Sequence, residues 1–256
     1  MRTFLLLLCA APALAAPLAA HPAPPRVRSG SARADGTLLF GNAEQRVVGA
    51  RGGVARADST LEVDASLQVL YGDAAAEDRP REVTKRLWLG ALSADWRPYA
   101  PWSPFALATY ESNLEKRIAS RVAWGVGAKR TFVRSARTEA SLSVALLDER
   151  TGARPDRDAA AAPPRVVRVT RWSARARVQH GLDRRLRLSH TTFYRPRVRT
   201  AGTDFVVVST SEARYAMTRA LEASLSLLVN HDNQAPRRGA RVATDGTVLF
   251  GLGARW

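Results

Sequence analysis

Val248-Leu-Phe-Gly-Leu-Gly-Ala-Arg-Trp256 alternates without a break. Val248, Phe250, Leu252, Ala254 and Trp256 fall on one side of an extended chain, and Leu249, Gly251, Gly253 and Arg255 on the other, because successive side chains of a strand point to opposite faces. The apolar set runs through to the last, aromatic residue, where chain ends are usually polar and frayed. A closing strand that meets lipid accounts for this pattern. Val248, Phe250, Leu252 and Trp256 are then expected to be the signal by which barrel-assembly machinery recognises the chain.

The same period recurs upstream. In Thr60–Gly72, Leu61, Val63, Ala65, Leu67, Val69 and Tyr71 share one face, and Glu62, Asp64, Ser66 and Gln68 share the other. A helix is excluded because the period is 2, not 3.6. Val122, Trp124, Val126 and Ala128 stand against Arg121, Gly125, Gly127 and Lys129, and glycine on an inner face relieves crowding where a wall bends. Ala140, Leu142, Val144 and Leu146 alternate with Glu139, Ser141 and Ser143, and Trp172, Ala174, Ala176 and Val178 with Arg171, Ser173, Arg175 and Arg177. Twelve such stretches can be placed, beginning with a weak one near Arg28–Leu39, and the charged, Pro-rich segment Asp148–Pro164 is expected as the longest loop. Connections after the odd-numbered strands are mostly longer than those after the even-numbered ones, as long external loops and short periplasmic turns require. Tyr71, Trp96, Trp102, Tyr110 and Tyr194 fall near strand ends, where aromatic girdles lie. A secreted β-sandwich shares the alternation but accounts for neither the loop asymmetry nor the aromatic terminus.

The N-terminus has the form of an export signal. Arg2 precedes the apolar run Phe4–Ala11, and small residues follow at Ala13, Ala15 and Ala20. The expected organisation is a signal peptide over 1–20, a flexible periplasmic lead-in over 21–35, and an outer-membrane β-barrel over 36–256. Cys9 falls in the signal, so the mature chain carries no disulfide. No later stretch approaches the about 18 apolar residues of a membrane helix. A chain of this length in a membrane is therefore a closed antiparallel barrel, of about 12 strands at roughly 20 residues per strand and connection.

The formal charge is +16, and all but three of the 39 basic residues are Arg. That balance would ordinarily raise nucleic-acid binding. The export signal, the spread of the charge along the chain and the absence of any nucleic-acid motif argue against it. Outer-membrane lipid and lipopolysaccharide are the expected surroundings. Inward charges are expected at Arg121, Lys129, Arg171, Arg175, Arg177, Arg185, Arg187 and Arg255, partly offset by Glu62, Asp64, Asp95, Glu139 and Glu222. They either pair across the lumen and plug it or, if water fills it, favour anions.

Several segments resemble a known family. They are the Gly41-Asn42 turn, Pro104–Glu111 followed by Arg121–Ala128 with its Trp124-Gly-Val-Gly, and His231-Asp-Asn-Gln-Ala-Pro236. Together they resemble the salt-induced outer-membrane protein family, also called YdiY-like. After Pro236 the chain departs from it, with Arg237-Arg-Gly-Ala-Arg241 and Thr244-Asp-Gly246 in place of a Lys-rich stretch and Thr-Asp-Thr. The resemblance implies an outer-membrane barrel of undefined activity and supplies no catalytic residue.

Catalytic motifs are absent from the sequence. There are four histidines, with no HExxH and no Gly-rich loop opening a helix, and no cofactor or metal site is expected. His231-Asp232 reads as a solvated loop pair. One enzymatic arrangement comes near, that of outer-membrane phospholipase, with a His and a Ser two apart on a lipid-facing strand. Here His190 is followed by Thr192. The chain is expected to be non-enzymatic, with a structural or envelope-stress role; a small anion-preferring pore is the alternative.

Overall fold

The computed structural model describes residues 27–39, 43–76, 81–154 and 166–256. The segment 1–20 read as a signal peptide lies outside them, as do the Gly41-Asn42 turn and most of the loop after β7. Twelve strands follow in order: β1 (Val27–Leu39), β2 (Ala43–Ala57), β3 (Leu61–Ala76), β4 (Glu82–Trp96), β5 (Trp102–Asn113), β6 (Ile118–Arg134), β7 (Thr138–Ala153), β8 (Val166–Gly181), β9 (Leu186–Pro196), β10 (Phe205–Ala216), β11 (Leu221–Asp232) and β12 (Thr244–Arg255). Each pairs antiparallel with the next, and β12 returns to β1, so the sheet closes. Closure leaves no unpaired edge and excludes a sandwich.

The closing seam runs from Ser31↔Arg255 to Gly36↔Phe250. Two backbone bonds extend it, Gly30 N–H to Trp256 O at 3.0 Å and Trp256 N–H to Gly30 O at 3.1 Å. The Trp256 indole lies against Gly30, at a distance that a Cβ there would violate. Gly30 thus lets the last aromatic ring lie across the seam. Residues Val27 to Asp35 are wall, so the weak strand read near Arg28–Leu39 is present and the 21–35 lead-in does not extend over them. Their small and charged side chains hide a strand from a hydrophobicity pattern, yet both neighbours pair with them.

Burial separates the two faces of β12 sharply. Phe250 is 63% and Leu252 65% exposed, while Leu249, next to Phe250, is 0% exposed. Val48, Leu67, Leu92, Val126, Val144 and Leu225 are likewise exposed on other strands. This apolar belt is bordered toward one end by Tyr71, Trp88, Tyr110, Trp172 and Tyr194 and toward the other by Trp96, Trp102, Tyr215 and Trp256, all exposed. A belt between two aromatic girdles is the outside of a membrane barrel.

At the end where β1 begins, here the terminal end, connections are three to five residues long. At the opposite, loop end, β7 runs seven residues past the expected Leu146, to Ala153. Asp148 and Arg150 face outward there and break the apolar pattern, but the ladder continues because Glu149 and Thr151 point inward. Where β6 meets β7, the wall bends sharply. A Cβ at Gly125 would collide with the Leu146 carbonyl oxygen, and one at Gly127 with that of Val144.

Candidate functional site

The inward residues divide the lumen into two unlike halves. Toward the loop end it is filled. Val47, Leu70, Leu87 and Leu249 form an inward apolar cluster, with Leu89 and Leu228 against it. Phe105, Ala145 and Leu147 form a second, with Leu107. Beside these lies a network of buried charge centred on Arg121 of β6, which is 5% exposed. Its guanidinium donates to Glu111 Oε2 at 3.0 Å, Asp232 Oδ2 at 2.8 Å and Thr151 Oγ1 at 3.2 Å. Glu149 lies 3.7 Å from Arg121 Nε and accepts from Arg171 Nε at 2.9 Å, and Arg171 pairs with Asp204 at 2.8 Å.

Two connections lock over this network. Lys116, 0% exposed, donates to the Ala243 carbonyl at 2.7 Å and pairs with Asp245 at 2.6 Å. Arg238, in the 3-10 turn Pro236–Arg238, pairs with Asp232 at 2.6 Å and reaches the Lys116 carbonyl at 3.3 Å. Lys85 on the facing wall binds Glu115 at 3.1 Å and Thr247 at 2.8 Å. The β5–β6 connection and the β11–β12 loop are thereby tied to each other and to the wall. Charges this deeply buried are tolerable only when each finds its partner.

Toward the terminal end the lumen opens into a cavity of about 1270 Å³. Eleven basic and six acidic side chains line it. At its floor the Arg175 guanidinium lies over Phe105 at 5.7 Å and Phe193 at 5.9 Å and donates to Ser143 Oγ at 3.1 Å. Lys129 pairs with Asp95. Glu212 gathers Arg33, Arg214 at 2.6 Å and Arg51 at 3.4 Å, and Arg33 also pairs with Glu222. Glu62, Asp64, Asp95 and Glu139 come from β3, β4 and β7, with Lys129 and Arg134 of β6 among them, while Arg175, Arg177, Arg187 and Arg214 come from the adjacent strands β8, β9 and β10. At the rim, backbone N–H groups of Leu186 and Arg185 donate to Asp183 Oδ1, each at 2.6 Å, and hold that carboxyl below its ordinary range.

The residues singled out from sequence therefore do not form one site. Arg121 and Arg171 belong to the filled half. Lys129, Arg175, Arg177, Arg187, Glu62 and Asp64 line the open half. Arg185 lies in the β8–β9 turn at the rim, where it donates to Tyr215 Oη at 3.4 Å. The Arg255 side chain lies outside the described residues. Glu149, Glu212 and Arg33 were not among the inward charges expected from sequence, Glu149 because it falls in the expected loop and Arg33 because its strand is weakly patterned. Asp232, expected in a solvated loop pair with His231, instead ends β11 at 1% exposed and is bonded to Arg121 and Arg238.

His190 and Thr192 sit on the outer face. His190 Nδ1 meets Ser211 Oγ and its Nε2 meets Thr192 Oγ1, both at 2.8 Å, and Thr192 meets Ser209 at 3.1 Å. Both ring nitrogens are thus engaged by hydroxyls, and no carboxylate or amide orients the ring.

With this geometry in hand, the chain can be set beside known proteins. A family model, DUF481, described as a protein of unknown function, matches residues 35–256. The chain belongs to the DUF481 family. The YdiY-like resemblance is consistent with that match. A search of curated proteins finds no match. Among solved structures, the NanC porin is 8% identical over 88% of this chain and 98% of its own, with a TM-score of 0.51. The β domain of the Bordetella autotransporter BrkA is 14% identical over 90% and 98%, with a TM-score of 0.43. The translocator domain of NalP from Neisseria meningitidis is 12% identical over 90% and 87%, with a TM-score of 0.42. The likeness is one of fold: this DUF481 member is built as an outer-membrane type of barrel.

Proposed function

We propose that this DUF481 member is a non-enzymatic outer-membrane barrel sealed at its external half, with a structural or envelope-stress role and not that of an open pore. The observation that carries this is the buried network around Arg121, closed over by Lys116 and Arg238. In this proposal the loop end faces outward and the terminal end faces the periplasm, with the apolar belt in lipid, bordered by lipopolysaccharide outside. Residues 1–20 direct export and are then removed, and assembly uses Val248, Phe250, Leu252 and Trp256 as the docking signal for the assembly machinery. Fractionation checks the location: the protein should appear in outer membranes and migrate differently on gels when boiled, and a soluble periplasmic protein defeats the proposal.

Purified protein in a planar bilayer tests the seal. The expected result is no conductance step at high salt for the wild type and steps for a chain carrying both Arg121→Ala and Asp232→Ala. Frequent wild-type steps with anion preference would establish the second function instead, a small anion-preferring pore. The basic excess of the open half favours that alternative. Phospholipid hydrolysis is not expected, and hydrolysis abolished by His190→Ala would overturn the non-enzymatic assignment.

A further inference from the structure

From the arrangement of arginines on one wall of the open half, we infer that the cavity is a binding site for an elongated polyanion that enters from the terminal end. This deepens the blind-ended proposal and rests on it for the direction of entry.

Arg187 on β9 and Arg214 on β10 are direct cross-strand partners, both facing the cavity. Like charges directly opposite destabilise a sheet. Arg214 is relieved by Glu212 at 2.6 Å, whereas Arg187 forms no ion pair among the described residues. The next strand adds two more inward arginines, without a like charge opposite. Arg177 of β8 stands opposite Thr191 of β9, and Arg175 opposite Phe193. Arg177 also forms no ion pair among the described residues, and Arg175 is held by aromatic faces and a hydroxyl.

The result is a descending series: Arg187 near the rim, Arg177 at the level four residues further along β9, and Arg175 two beyond that. Four residues of strand span about 13 Å. Arginines anchored on that backbone spacing suit a chain carrying oxyanions along its length better than a single phosphate or carboxylate. Arginine's planar fork suits phosphate and carboxylate oxygens alike. Glu62 and Asp64 face the same arginines across the cavity, so a polyanion must compete with them, and Asp95 is already paired with Lys129.

Unlike an arginine of a surface patch, the innermost arginine of this series is backed by aromatic rings. Phe105, 3% exposed, and Phe193 back Arg175. They fix its guanidinium and lower the local dielectric, which strengthens attraction to an anion.

The test is titration calorimetry of the full barrel in neutral detergent, with tripolyphosphate, a tri-glutamate peptide and inorganic phosphate as probes. Loss of one charge-assisted contact corresponds to about tenfold in affinity. Tripolyphosphate or tri-glutamate should bind at least about tenfold more tightly than phosphate. Which of the two binds better separates a phosphoryl from a carboxylate source, and either supports the site. Arg177→Gln and Arg187→Gln should each weaken that binding about tenfold, while Arg56→Gln, outside the cavity, leaves it unchanged.

A second readout guards against misfolding. Because Arg187 opposes Arg214, Arg187→Gln should raise the unfolding temperature of the ligand-free barrel while abolishing the further rise that polyanion gives the wild type. Equal affinity for phosphate and the longer probes overturns the inference, as does undiminished binding by the two variants or no binding by the wild type. These measurements are made in micelles and are blind to conductance, so failure of the site and failure of the seal are read separately.

Discussion

The two halves of the lumen are built from the same strands and the same arginine-rich composition, yet one is packed and the other holds about 1270 Å³ of open space. The difference lies in how charge is matched. In the loop half Arg121 meets Glu111, Glu149 and Asp232, and apolar side chains fill the space beside it. In the terminal half arginine outnumbers its partners, and the surplus lines a space reached by water. Basic residues in a barrel interior therefore do not by themselves define a pore; a seal and a binding wall are distinguished by the carboxylates supplied with them.

The largest effect that would break this contrast comes from Arg121→Ala. It leaves three carboxylates buried without their shared cation, a loss of about 3–5 kcal/mol. The loop half should loosen, seen as a lower temperature for conversion to the unfolded gel form. An equivalent change in the open half, Arg177→Gln, should leave that temperature within error. Equal losses in both would erase the distinction. Next in size is Leu70→Ala, a 0% exposed side chain whose removal costs about 2–5 kcal/mol through lost burial and a cavity. Leu67→Ala, on the outer face of the same strand, should cost less.

The closing strand sharpens the comparison from outside. Basic charge at Phe250 meets the lipid belt, at about 2–4 kcal/mol near the midplane, and deletion of Trp256 removes the ring that covers Gly30. Both should slow assembly. From sequence alone Leu249, the inward neighbour, would be the tolerant control. It is not, because it packs with Val47, Leu70 and Leu87, so charge there is also expected to harm the barrel. Gly246 is the better control: a Cβ there meets nothing within 4 Å, so Gly246→Ser should assemble normally. Pulse-labelled assembly of the variants in cells checks the order.

That correction marks what the sequence could and could not reveal. Leu61 to Tyr71 and Val248 to Trp256 expose the outer face because lipid demands apolar residues at every second position. The inner face has no such uniform solvent. Leu70, Leu87 and Leu249 are apolar inside, Arg33 and Glu149 are charged inside, and alternation cannot tell a filled layer from an open one. Nor can spacing find Arg121 and Asp232, which bond across 111 positions. Their meeting is set by the stagger of twelve strands and by the fold of the β11–β12 loop.

The smallest expected effect concerns the β8–β9 turn at the rim of the open half, where Leu182 to Arg185 are exposed and the shape relies on turn geometry. Asp183 accepts the N–H groups of Leu186 and Arg185, and these bonds favour its ionised form. A carboxyl whose folded pKa lies below the unfolded one stabilises the fold above the unfolded pKa, about 3.9, and loses that contribution as pH falls through the folded value. Asp183→Ala should therefore speed amide exchange at Arg185 and Leu186 at neutral pH, with the gap to wild type narrowing below about pH 4. The Arg121 network should show no matching change when Asp183 is replaced, since no contact links the turn to the loop half. A gap that is constant with pH would mean that the carboxylate charge does not hold the turn, and would leave the β8–β9 rim shaped by strand pairing alone.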